Sequence, residues 1–135
     1  MLKVNTRNVG DVVFLCLQGH IVTGRTANLR EVVNSTLRKS SILRNADAAR
    51  TSALVLDLSQ VSTIDAGGLG VLLELREQVQ STGIGFKLMN VNRLIGMVLR
   101  IARLDTVFEM TSSVEFFPAI SQHSAASRVQ LASCA

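Results

Sequence analysis

The chain has 135 residues, 47% of them hydrophobic, and 14 Lys and Arg against 10 Asp and Glu give a formal net charge of +4. That length suits one domain with its own core; no apolar run approaches the roughly 20 residues of a membrane-spanning helix, and the opening MLKVNTRN lacks a signal-type segment, so a cytoplasmic protein is expected. With no Trp, no Tyr and no run of basic residues, the sequence gives no sign of nucleic-acid binding, which uses a basic stripe or stacking aromatics.

From the N-terminus, residues 2–9 and 11–17 read as two strands joined at Gly10 and Asp11, a hairpin signal. The second is almost wholly apolar, as a strand central in a sheet is. Over 25–39 the period changes: Leu29, Val33 and Leu37 share a helical row beside Ala27, Val32 and Thr36, and Arg30, Glu31 and Arg38 fall elsewhere. Residues 40–52 are weakly periodic and read as a long loop or as an extension of the first helix. A third strand over 53–58 runs into a polar loop, and a helix follows over 67–80 until Ser81, Thr82 and Gly83 stop it.

A strand over 85–91, a helix over 93–103 and a short strand over 106–110 come next. A last short helix is expected over 112–120, weakened by Pro118. The small, polar residues 121–135 read as a disordered tail beyond a domain of 1–120. This order predicts an α/β fold: a single domain with a mixed, mostly parallel sheet, an N-terminal hairpin and about four helices.

Few residues offer chemistry. Cys16 lies in an apolar strand and Cys134 in the tail, so no disulfide is expected between them, and neither sits at metal-ligand spacing. His20 and His123 lie far apart, with no Ser/Asp or Cys/His companion that would make a catalytic set. No catalytic residue, no metal and no cofactor is therefore expected. The glycines at 67, 68 and 70 lack the Gly-Lys-Ser/Thr of a phosphate loop and the spacing of a dinucleotide fingerprint.

The stretch ALVLDLSQVSTIDAGGLG, residues 53–70, carries most of the information. A strand-like run passes through a polar loop into Asp65, Ala66, Gly67 and Gly68, and a leucine-rich helix follows. Backbone N–H groups at a helix start lack intrahelical partners and carry partial positive charge, which suits such corners to ligands or partners. Asp65 is also a good N-cap, a role that needs no further function.

Ser59, Ser62 and Thr63 read either as turn residues bonded to nearby backbone or as phosphoacceptors. On the following helix Leu69, Val71, Leu72, Leu73, Leu75 and Val79 span roughly 200° of arc, wider than one buried stripe needs. Either the helix is deeply buried, or Val71 and Leu75 are exposed contacts. Arg93, Arg100 and Arg103 gather on one side of the later helix. They form a solvated face or attract an acidic protein or anionic headgroups.

Several pieces together resemble the STAS domain, the family of bacterial anti-sigma factor antagonists that also supplies the cytoplasmic domain of sulphate transporters. They are Leu17-Gln18-Gly19, Thr26-Ala27-Asn28-Leu29, Leu56-Asp57-Leu58-Ser59, Ile64-Asp65 with its small-residue turn, Asn90-Val91-Asn92, and Leu104-Asp105-Thr106-Val107-Phe108. The resemblance spans about residues 2–120. It implies a partner-switching regulator of transcription that binds proteins and is not an enzyme.

In that family the turn normally reads Asp, Ser, Ser or Thr, Gly, and an anti-sigma factor kinase phosphorylates the third position. The third position here is Gly67, which has no hydroxyl. The resemblance therefore implies an antagonist that binds an anti-sigma factor kinase but is not phosphorylatable at the family site. The expected partner-binding surface is Asp65, Ala66, Gly67, Gly68, Leu69, Val71, Leu72 and Leu75. A second departure is His20-Ile21-Val22-Thr23-Gly24, where the family often has Gly-x-Leu-Asp; the chain carries one extra residue and no carboxylate. The alternative is an accessory STAS subunit of a larger assembly, such as a stressosome-like complex or a lipid or anion transporter, or a homodimer.

Overall fold

The computed structural model of the chain describes residues 2–43 and 51–111. Its elements run β1 (Lys3–Val9), β2 (Val12–Ile21), α1 (Ala27–Leu43), β3 (Ala53–Ile64), α2 (Ala66–Gln80), β4 (Gly85–Met89), α3 (Arg93–Ile101) and β5 (Glu109–Thr111). The sheet order is β1-β2-β3-β4-β5. β1 pairs antiparallel with β2, and the other neighbours are parallel. This is the expected single α/β domain with a mixed sheet and an N-terminal hairpin. Gly10, with φ of +62°, takes the first central position of the hairpin turn, where a II′ turn needs glycine.

The described residues hold three helices; the fourth expected helix, 112–120, and the tail, 121–135, lie outside them. The main core forms where Leu15 and Leu17 of β2, Leu54, Leu56 and Leu58 of β3, and Phe86 and Leu88 of β4 meet the helices. Leu29 and Val33 of α1, Leu72, Leu75 and Val79 of α2, and Ile95 and Leu99 of α3 pack against them. Each such side chain contributes roughly 1.5–3 kcal/mol by leaving water. On the other face of the sheet Phe14, Val55 and Met89 form a small buried cluster, which contains no helical residue among the described ones.

One open reading closes and two expectations change. Residues 40–43 continue α1 to Leu43, the extension that the sequence left open, and 44–50 lies outside the described residues. The third strand extends to Ile64 and absorbs the expected polar loop. The register between β2 and β3 shifts twice, between Cys16 and Gln18 and between Gly19 and His20. Each shift puts an extra residue into β3, so its buried side chains come three apart at Leu58, Val61 and Ile64. The polar residues between them are the bulged ones.

Cys16 is the second correction: it is disulfide-bonded. The sequence argument set Cys16 in an apolar strand, apart from the tail that holds the other cysteine. Cys16 pairs with Asp57 on the sheet face that carries the Phe14 cluster, away from the helices. The chain's other cysteine lies outside the described residues.

Candidate functional site

The corner between β3 and α2 is built from two chain segments. Asp65 is extended (φ −109°, ψ −179°) and caps α2, its Oδ1 accepting from Gly68 N–H at 2.8 Å. Its backbone N–H donates to the Ile21 carbonyl at 3.3 Å, tying the corner to the end of β2. There a turn over 22–25 is closed by Arg25 N–H to Val22 O at 3.0 Å, with Gly24 at φ of +81°. A type II turn needs that conformation at its third residue.

The second residue of the turn is Thr23, which faces Asp65. Thr23 N–H donates to both carboxylate oxygens at 3.1 Å, and the Thr23 hydroxyl donates to Oδ2 at 3.1 Å. These donors, Thr23 N–H first and Gly68 N–H next, hold the Asp65 carboxyl below its ordinary range, since each favours the charged form. Asp65 remains exposed.

Two glycines are dictated by this closeness. A Cβ on Gly68 would lie 2.0 Å from the Ile21 carbonyl oxygen, a backbone atom that cannot step aside. A Cβ on Gly67 would lie 1.9 Å from Thr23 Oγ1 and 2.9 Å from Thr23 Cβ. The two sequence departures, a missing hydroxyl at 67 and an altered 20–24 segment, therefore meet in space. Sequence reasoning missed Thr23; the extra residue before Gly24 was its only signal.

Of the expected surface, Asp65 and Ala66 are exposed, and Gly67 and Leu69 are half-buried. Gly68, Val71, Leu72 and Leu75 are buried. Val71 and Leu75 are thus core residues, not exposed contacts, because α2 packs between the sheet and α1. Its far side is tied to α1 by the Arg30–Glu74 ion pair at 2.8 Å and by Gln78 donating to Asn34 at 2.6 Å. The binding-capable surface contracts to the corner itself with Leu69 and the 22–25 turn.

His20 does have a serine companion: Ser62 Oγ lies 3.0 Å from His20 Nδ1 and 3.1 Å from the Gly19 carbonyl oxygen. The bulges of β3 bring the pair together. Both residues are exposed, and among the described residues no carboxylate orients the pair as in a triad. Ser59 behaves as a local residue, its N–H donating to Asp57 Oδ1 at 2.9 Å. Asp57 is buried at 2% exposure, and that burial pushes its carboxyl up, opposed by the bonds from Ser59 and Asn90. No cluster of three or more His, Cys, Asp or Glu fit for a metal exists among the described residues. No helix there is long and apolar enough to cross a membrane.

α3 presents a different surface. Leu94, Met97 and Ile101 are 51%, 50% and 76% exposed, with Arg93 and Arg100 alongside. The side that packs is instead Ile95 and Leu99, with Val98 half-buried.

The STAS domain family model matches residues 3–118. The chain belongs to the STAS family. Among solved structures, an anti-sigma factor antagonist from Mycobacterium paratuberculosis is 16% identical with a TM-score of 0.65, over 98% of this chain and 94% of that one. A candidate anti-sigma factor antagonist from Thermotoga maritima is 22% identical with a TM-score of 0.70, over 87% and 94%. The Bacillus cell fate determinant SpoIIAA in its phosphorylated form is 15% identical with a TM-score of 0.60, over 90% and 100%. At these identities the likeness is one of fold. It gives this STAS chain the architecture of the antagonists, with Asp65 at the strand-to-helix corner.

Proposed function

We propose that this STAS protein is a non-enzymatic regulator of the anti-sigma factor antagonist type. It binds a protein partner, an anti-sigma factor kinase, through the 65–68 corner, Leu69 and the adjoining 22–25 turn. The observation that carries this reading is the exposed Asp65 carboxylate, fixed by three donors at the start of α2 and flanked by surface without bulky side chains at Ala66 and Gly67. A rigid charged group at a shallow, open corner suits a protein surface better than a small substrate, which takes a concave pocket. Gly67 supplies no phosphoacceptor, so the family site is silent.

The test is calorimetry of the full chain against histidine-kinase-like anti-sigma factors encoded in the same genome. Binding is expected and is weakened at least tenfold by Ala66→Arg, which leaves the core untouched. No binding to any of them, or binding indifferent to Ala66→Arg, sinks the reading.

The exposed stripe of Leu94, Met97 and Ile101 favours a second reading, in which the chain is an accessory subunit of a larger assembly. Apolar surface of that kind marks interaction sites. Light scattering after size exclusion separates the two: an assembly subunit gives a mass above one chain, lowered by Ile101→Glu.

A further inference from the structure

The exposed apolar surface of this domain is concentrated on α3. Among the described residues four large hydrophobic side chains are exposed: Leu94, Met97 and Ile101 share α3, and the fourth, Met110, lies on the edge strand β5. At about 100° per residue the three on α3 fall within roughly 60° of arc, a single outward row. Arg93 and Arg100 fall together on one flank of that row, and Arg103 follows just past the end of the helix. All three arginines are exposed, and none makes an ion pair among the described residues.

Arg103 stands there against its own conformational preference. α3 closes with Leu104 N–H donating to the Leu99 carbonyl at 2.8 Å and Arg103 N–H donating to the Arg100 carbonyl at 3.0 Å. That closure needs one left-handed residue, ordinarily glycine; here it is Arg103, with φ of +60°. A side chain in this region is sterically penalised, so the helix end gives up stability and gains a third cation beside the apolar row. On the same flank an open cavity of about 610 Å³ is lined in part by Gly96, Arg100, Asp105 and Met110. Asp105 is the one carboxylate lining it among the described residues, and it is half-buried.

Charge complementarity names the occupant. Aliphatic tips on the outside of a helix, with unpaired guanidinium groups along one flank, make the pattern of a helix lying in a lipid interface: the tips enter the acyl boundary while the arginines reach phosphates. A protein partner fits less well. Protein interfaces anchor on Trp and Tyr rings as well as Arg, and α3 has no aromatic residue. We propose that α3 docks this domain on an anionic phospholipid surface, with Leu94, Met97 and Ile101 inserted and Arg93, Arg100 and Arg103 on headgroup phosphates. This docking is separate from kinase binding at the 65–68 corner, and it gives the row on α3 a different occupant from a neighbouring subunit. One short helix makes the docking weak, reversible and salt-sensitive.

The test sediments the full chain with vesicles of phosphatidylcholine alone and of phosphatidylcholine mixed equally with phosphatidylglycerol. Binding is expected to be at least tenfold tighter on the anionic vesicles and to fall as salt is raised. Ile101→Glu and the double variant Arg93→Gln, Arg100→Gln are each expected to weaken it at least tenfold; all three positions are exposed, so the core is untouched. Arg103→Gly separates surface from fold: it relaxes the left-handed residue, so Tm holds or rises while vesicle binding drops severalfold. Equal binding to both vesicles, binding to neither, or binding indifferent to Ile101→Glu overturns the proposal. So does a mass above one chain in lipid-free light scattering that Ile101→Glu lowers, which assigns the row to a second copy. Each of these results leaves the corner reading untouched.

Discussion

The two capped helices that follow parallel strands in this domain begin in opposite ways. At α3 the cap is Asn92: its Oδ1 accepts from Ile95 N–H at 2.9 Å while its Nδ2 donates to the Val61 carbonyl at 2.7 Å. The amide uses both halves of its chemistry on backbone, and the residue is half-buried. At α2 the cap is Asp65, a pure acceptor that gathers three donors and still carries an exposed charge. A neutral amide closes a structural joint. An anion at a helix start is stabilised by the helix dipole yet remains legible to a partner. The contrast separates a corner that holds the fold together from one fit to be read from outside.

Glycine substitutions test this contrast most sharply. Gly68→Ala drives a methyl to 2.0 Å from the Ile21 carbonyl oxygen and is expected to cost roughly 3 kcal/mol, the upper range for overpacking, by urea unfolding. Gly96→Ala in α3 meets only Val91 Cγ1, at 3.7 Å. It is expected to stabilise by about 0.5–1 kcal/mol, because alanine suits a helix interior better than glycine. Equal effects at the two sites would erase the distinction between the corners.

Next in size is Asn92→Ala, which strands the Val61 carbonyl and the Ile95 N–H. A loss of about 1–2 kcal/mol is expected in the same assay. Asp65→Asn keeps a cap and loses the charge. Its signature is expected in partner binding, in a lower Tm at neutral pH, where the ionised carboxylate contributes, and in a flatter acid limb of stability.

The two carboxyls predict opposite slopes of Tm against pH. Asp65 is depressed in the folded state, so its contribution is present above the unfolded value of about 3.9 and disappears as pH falls through the folded value. Asp65→Asn should flatten that acid loss. Asp57 is raised, so the folded chain holds its proton more tightly, and stability falls as pH climbs from about 3.9 through the folded value. Asp57→Asn should raise Tm at neutral pH and leave it nearly unchanged in acid. The smallest effect is expected from Glu74→Gln: its ion pair with Arg30 is exposed on both sides, and such pairs add little to stability. A large fall in Tm would assign α1 and α2 a coupling that the geometry does not show.

The fold was readable because its signals are local. Alternation and apolar runs mark the strands, the 29–33–37 row marks α1, and Gly10 and Asp11 mark the hairpin. The end of β3 was not readable, since a twice-bulged strand loses the two-residue period and shows polar residues where alternation expects apolar ones. At the site, Asp65 stood out by its capping position. Thr23 did not, because its role comes from a contact across 42 positions of sequence. The exposure of α2 stayed open for a related reason: a helix wheel gives the width of an apolar arc and not the number of neighbours that cover it.

The bulges of β3 carry a consequence for transplanting the corner. Two inserted residues set the phase at which the strand delivers Asp65 to the end of β2, so they act as a vernier between two otherwise parallel rulers. Removing one would turn Asp65 toward the opposite side of the sheet and leave Thr23 facing nothing. Residues 19–24 and 59–68 therefore form one heritable unit. A chimera that exchanges either alone inherits a mismatched pair, and only exchange of both carries the recognition surface with it.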